Sequence, residues 1–285
     1  MKEITSNVYV STEYPGVNVG FVILPEGVIA IDVPTLPRHA RAWRQRILET
    51  AGKRILYLVL TDEHPDRLLS AGIFSESEAM PIVAARPVYE RAVVYTDGFW
   101  RSVVEGWTRR YPEHANDLLG LQGALPEIMF TTRLMLHKGG ETVTVEHIAG
   151  AAAGSAWIHL PEKGVLFVGD TVVTDLPPVL SVASDTKAWL TTLTALRRSR
   201  FSDTIFVPGR GSLGDQSSTR AVSDYLALVR RRVRSLHASG QARAEVALVV
   251  AELMSGYSIP DEERDWVQRY VKAGVDRVYE ELRPR

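Results

Sequence analysis

The 285-residue chain contains no cysteine. Disulfides, zinc–thiolate sites and a cysteine nucleophile are therefore excluded. Long apolar runs are missing as well. None approaches the ~18 residues that a membrane-spanning helix requires, so no membrane partner is expected. No charge of one sign dominates either. Lys plus Arg number 33 against 34 Asp plus Glu, a formal net charge of −1. There is no overall field to attract nucleic acid. The runs RRSRFSD and RRRVRS read as solvated helix faces, not as nucleic-acid contacts. The opening MKEITSNVYV has no apolar core of the signal-peptide kind, and a cytoplasmic location is expected. What is present, 45% hydrophobic and 24% charged residues, is ordinary for a globular protein.

Strands and helices alternate along the first third. VNVGFVIL (17–24) and GVIAID (27–32) are β-type runs parted by the turn signal Pro25-Glu26-Gly27. A helix is expected over about 37–51, with Ala40, Trp43, Ile47 and Leu48 at helical spacing and Gly52 as its cap. RILYLVLT (54–61) reads as a buried strand. Residues 86–130 read as an inserted helical segment carrying Tyr95, Phe99, Trp100, Trp107 and Tyr111. Those aromatics serve either packing or a wall over a site. Strands resume near 133. The last 70 residues carry two apolar helical stripes: Val222 to Leu236, closed by Gly240, and Trp266 to Leu282. They read as cover for the core, with a homodimer contact through these helices as the alternative. The expected division is a domain over 1–215 and a C-terminal helical extension over 216–285 packed on it.

The segment YLVLTDEHPDRLLSAG (57–72) drives an apolar run into acid, imidazole and guanidinium. Such loops at strand ends are where α/β proteins place chemistry. Further along stand AGAAAGS (149–155), VLFVGD (165–170) and PGRG (208–211). In this order and spacing they resemble the motifs of the metallo-β-lactamase fold: T-H-x-H-x-D-H, P-G-H-T-P-G-S, L-F-x-G-D and P-G-H-G. Thr61, His64 and Asp66 match the first motif, while Asp62 and Arg67 stand at its first and last histidine positions. Ala151 and Arg210 replace two further histidines, and Asp170 keeps the bridging aspartate position, 19 residues after Ala151. The resemblance covers roughly 5–215. It implies a four-layer αββα sandwich of class α/β, with metal ions at the sheet edge and a hydrolase's chemistry.

The replacements alter what the resemblance implies. Such metals act as Lewis acids and supply hydroxide, and each needs about three ligands. Arginine has no lone pair to offer, so a two-metal centre is not expected. One divalent ion on Asp62, His64 and Asp170, with Asp66, remains conceivable, with manganese, ferrous iron or magnesium favoured over zinc. The alternative is no metal, with Arg67 and Arg210 as counter-charges for the three aspartates. As a hydrolase, the chain would use His64 and Asp66 catalytically, and Arg67 and Arg210 would hold an anionic substrate. As a binding protein, the same arginines would hold a small anion or a partner's carboxylate. His147 and His159 read as strand histidines, and Ser155 as a turn bond rather than a nucleophile.

Overall fold

The computed structural model describes residues 1–75, 80–239 and 245–283. Gly240, the expected cap, lies outside them.

The first sheet has seven strands in the order β1 (Lys2–Thr5), β2 (Val8–Ser11), β3 (Val19–Leu24), β4 (Gly27–Ile31), β5 (Ile55–Val59), β6 (Ile82–Ala85) and β7 (Ile128–Phe130). β1 to β4 pair antiparallel and β4 to β7 parallel. The change follows from the connections. A tight turn joins β3 to β4, whereas helix α1 (Pro37–Ala51) crosses from β4 to β5. Pro37 opens that helix, and Gly52, at φ 59°, donates its N–H back to Leu48. Trp43 and Ile47 of its apolar face are fully buried.

The second sheet runs β12 (Ile205–Arg210), β11 (Val165–Val173), β10 (Ala156–Leu160), β9 (Glu141–His147) and β8 (Arg133–Lys138). β8 to β11 pair antiparallel, and β12 joins β11 in parallel after the crossover helix α7 (Thr186–Leu196). With helices outside both sheets, the molecule is the αββα sandwich of class α/β.

Short helices α2 (Pro65–Leu68) and α3 (Ala71–Ser75) follow β5. Next come α4 (Arg86–Ala92), α5 (Asp97–Arg110) and α6 (Ala115–Leu118). The segment expected to be helical to 130 thus returns to sheet at β7, which pairs in parallel with β6. A three-residue edge strand is too short to announce itself by alternation. The tail forms α8 (Ser218–Ser239), α9 (Val246–Met254) and α10 (Asp261–Glu281). α9 lies between the two apolar stripes of the sequence. Its buried Val249, Val250 and Leu253 join Leu226, Val229, Val271 and Trp189 in a core on the outer face of the second sheet. Among the described residues, no helix is long and apolar enough to cross a membrane.

The sheets are joined where their strands end. Ala156 N–H donates to Thr61 O at 2.8 Å, and Asn18 N–H donates to Gly209 O at 2.8 Å. The Asn18 side-chain amide adds bonds to Pro208 O and Gly211 O at 2.9 and 2.7 Å. These ties bring the ends of β4, β5, β11 and β12 to one edge.

Candidate functional site

Four acids and two arginines converge at that edge. Asp32 follows β4, Asp62 and Asp66 follow β5, and Asp170 lies within β11. Arg67 comes from α2 and Arg210 from the end of β12. His64 caps α2, its Nδ1 3.3 Å from Asp66 N. All six charged groups are buried, and Arg67 has no exposed surface.

Arg67 is the hub. Its Nε lies 3.1 Å from Asp32 Oδ2 and donates to Thr61 Oγ1 at 2.7 Å. Nη2 donates to Asp170 Oδ1 at 2.7 Å, and Nη1 lies 3.3 Å from Asp62 Oδ1. Arg210 extends the lattice, with Nε 3.2 Å from Asp170 Oδ2 and Nη1 3.0 Å from Asp66 Oδ2. Its Nη2 is 3.3 Å from His64 Nδ1, which is also 3.2 Å from Asp66 Oδ2. An imidazole protonated at Nδ1 donates to Asp66, whereas the other tautomer accepts from Arg210. Asp66 Oδ1 accepts from the indole N–H of Trp107 at 3.0 Å. A Cβ on Gly209 would collide with Asp170 Oδ1 and Arg67 Nη2, so only glycine admits this contact.

The carboxyls divide by environment. Burial pushes Asp62 up to about 7; Arg67 opposes the shift, and the charges of Asp170 and Glu63 add to it. Burial also raises Asp32, against Arg67 and the bonds from Thr61. For Asp66, burial is outweighed by His64 and Arg210, which hold it well below the usual carboxylate range. Arg210 and Arg67 do the same for Asp170. Both guanidiniums lose solvation on burial, yet their aspartates raise their pKa further.

Asp62, His64, Asp66, Arg67, Asp170 and Arg210, which the motifs place together, do meet at this edge. Their partners differ from expectation in one respect. Arg67 is sealed inside, so of the two arginines expected to meet a substrate only Arg210 lines a cavity. Asp32, Glu63 and the Trp107 indole went unforeseen. Asp32 ends the apolar run GVIAID, and that strand-end acid was the available signal. Glu63 accepts the N–H groups of Ala153 and Gly154 at 2.8 Å each, tying down the loop that carries Ala151. Glu63→Ala should cost about 1–3 kcal/mol in urea denaturation, because both amides lose their acceptor.

The other readings have simple outcomes. Ser155 Oγ accepts from Ala152 N–H at 2.8 Å, a turn bond. His147 ends β9, its ring nitrogens 2.8 Å from Thr131 O and Ala153 O. His159 packs on Phe201 with ring centroids 5.6 Å apart. Tyr95, Phe99 and Trp100 pack on one another, while Trp107 alone among these aromatics bonds a lattice carboxylate. Among the described residues, no group of three or more His, Asp or Glu side chains is arranged to hold a metal ion.

No curated protein is a detectable match. Solved structures share the fold. A metallo-beta-lactamase from Pontibacter korlensis superposes with a TM-score of 0.61 at 19% identity, covering 79% of this chain and 97% of that one. A metallo-beta-lactamase family protein from Thermus thermophilus gives 0.68 at 17% identity, with 98% and 95% covered. A stereoselective inverting sec-alkylsulfatase from Pseudomonas sp. gives 0.70 at 16% identity; it covers 98% of this chain, which spans 49% of the sulfatase. The family description "Metallo-beta-lactamase superfamily" matches residues 15–210. With the fold, the strand-end site and this match in agreement, the chain belongs to the metallo-beta-lactamase superfamily.

Proposed function

We propose that this chain is a metal-independent binding protein for small anions, built on a hydrolase scaffold whose metal site has become an ion-pair lattice. The observation that carries this reading is Arg67. Its guanidinium stands between Asp32, Asp62 and Asp170, in contacts of 3.1, 3.3 and 2.7 Å. A dication bridging Asp62 and Asp170 would meet that fixed positive charge. The donor set agrees. Positions 62, 64 and 151 offer an aspartate, an imidazole and a methyl group, and positions 67 and 210 offer guanidiniums. These residues do not fit the superfamily's metal pair.

The same geometry argues against a metal-free hydrolase. Asp66 has both oxygens engaged, by Trp107 on one side and by Arg210 and His64 on the other. A general base needs a free lone pair aimed at the proton it takes. Arg210, by contrast, lines a cavity of about 270 Å³ together with a second largely buried arginine, Arg110.

Melting curves test this reading. Zinc, manganese, ferrous iron and a chelator should each shift Tm by less than about 1 °C. An ion held by Asp62, His64 and Asp170, supplied at a hundred times its Kd, would raise Tm on the order of 5 °C or more. A rise of that size, lost in Asp170→Ala, would replace this proposal with the one-metal hydrolase.

A further inference from the structure

The cavity beside Arg210 lies between the β2–β3 loop, the end of α5 and the start of α10. A second space of about 190 Å³ is lined by His64, Asp66 and Trp107. Arg110 and Trp266 line both. Val17, Leu176 and Val267 make much of the first cavity apolar. α10 lies beyond residue 210, where the superfamily match ends. The cavity therefore owes one wall to this chain's own C-terminal helix.

Arg110 is only 10% exposed. Its guanidinium carbon sits 3.9 Å from the centroid of the Trp266 ring and 4.6 Å from that of Trp107. Nη2 donates to Glu263 Oε1 and Oε2 at 2.9 and 2.7 Å. Nε is buried and has no partner among the described residues. A buried donor left unpaired is costly, and a guanidinium between aromatic faces is a built site for a planar carboxylate. Glu263 fills the site only in part. It lies in the first turn of α10, 24% exposed, and also accepts from Tyr111 Oη at 3.1 Å. The acid, at 24%, is the more exposed partner of the pair, so it can turn to water while Arg110 stays between its rings.

We propose that this cavity binds a small monocarboxylate with an aromatic or branched aliphatic body. Its carboxylate takes the place of Glu263 on Arg110, and its body lies against Trp266 and Leu176. Glu263 is the resident competitor. In the empty protein it neutralises Arg110, and on binding it turns out to solvent. The exchange swaps one carboxylate for another, so the buried charge is conserved and the apolar body supplies the net gain. This inference names the ligand class of the anion-binding reading and rests on it.

The test uses 3-phenylpropionate and its uncharged amide, 3-phenylpropionamide, on chelator-treated full-length protein. Binding is followed by calorimetry and by tryptophan fluorescence. The acid should bind one per chain, and the amide at least about tenfold more weakly. Arg110→Gln should weaken the acid at least about tenfold. Glu263→Gln should strengthen it several-fold, an opposite sign that a merely structural role would not give. Asp261→Asn, an exposed acid of the same turn, should change neither. Equal binding of acid and amide, weaker binding by Glu263→Gln, or no binding of the acid by either wild type or Glu263→Gln overturns the inference. Metal content of the same sample separates the two claims. Stoichiometric metal with binding that still follows Arg110 and Glu263 defeats the metal-free reading alone. Metal-free protein without charge-dependent binding defeats this inference alone.

Discussion

Arg67→Met should lower stability by about 3–5 kcal/mol, the range for removing one partner of a buried charge cluster. Methionine keeps the apolar stem and fills much of the volume, so little of the loss comes from a cavity. The loss comes from Asp32, Asp62 and Asp170, all buried and all facing the guanidinium. Asp170 retains Arg210 at 3.2 Å, whereas Asp32 and Asp62 have no second arginine among their ion pairs in the described residues. Neutralising those two should therefore rescue. The triple variant Arg67→Met, Asp32→Asn, Asp62→Asn should recover a good part of the loss, and the non-additivity is measurable by a mutant cycle. Urea denaturation gives the free energies. A single-variant loss below about 1 kcal/mol would mean that the lattice does not need Arg67.

The second large effect is a pH dependence that Asp62→Asn should abolish. The carboxyl of Asp62 is raised from 3.8 to about 7 in the folded chain. Between about pH 4 and 7 the folded protein holds a proton that the unfolded chain has released, so stability falls as pH rises through this window and levels off above it. The decline is at most about 4 kcal/mol. Asparagine cannot ionise, and its oxygen can still accept from His64 N–H, as Asp62 does at 2.8 Å. Asp62→Asn should be nearly neutral at pH 5 and stabilising relative to wild type at pH 8. Asp66 and Asp170 are displaced the other way. Their contribution is present above about pH 4 and lost below it, giving an acid limb that Asp62→Asn leaves in place. Parallel pH profiles for variant and wild type would contradict the assignment.

The lattice was legible in the sequence because its residues stand in motifs. Buried carboxylates need counter-charges, so aspartates beside Arg67 and Arg210 already read as ion pairs. The fourth acid stands at a legible strand end, but its partner was not legible. Asp32 meets Arg67 across 35 residues of sequence, from a left-handed backbone position at φ 54°. Nothing local says where a strand-end aspartate points. Trp107 shows the limit of periodicity. With Trp100 it shares the buried face of α5, which reads as packing. Its N–H nonetheless reaches Asp66, 41 residues away, and only the folded positions of α2 and α5 reveal that. The C-terminal stripes likewise predicted helices that cover a core. They could not say that the first turn of α10 would set Glu263 against Arg110.

The central claim is that guanidinium groups have taken the place of metal ions at this sheet edge. Elemental analysis of protein purified without chelator, repeated after equilibration with excess zinc or manganese and desalting, tests it most directly. The account predicts far less than one equivalent of any transition metal per chain in both samples. Close to one equivalent, lost together with His64 or Asp170, would contradict it.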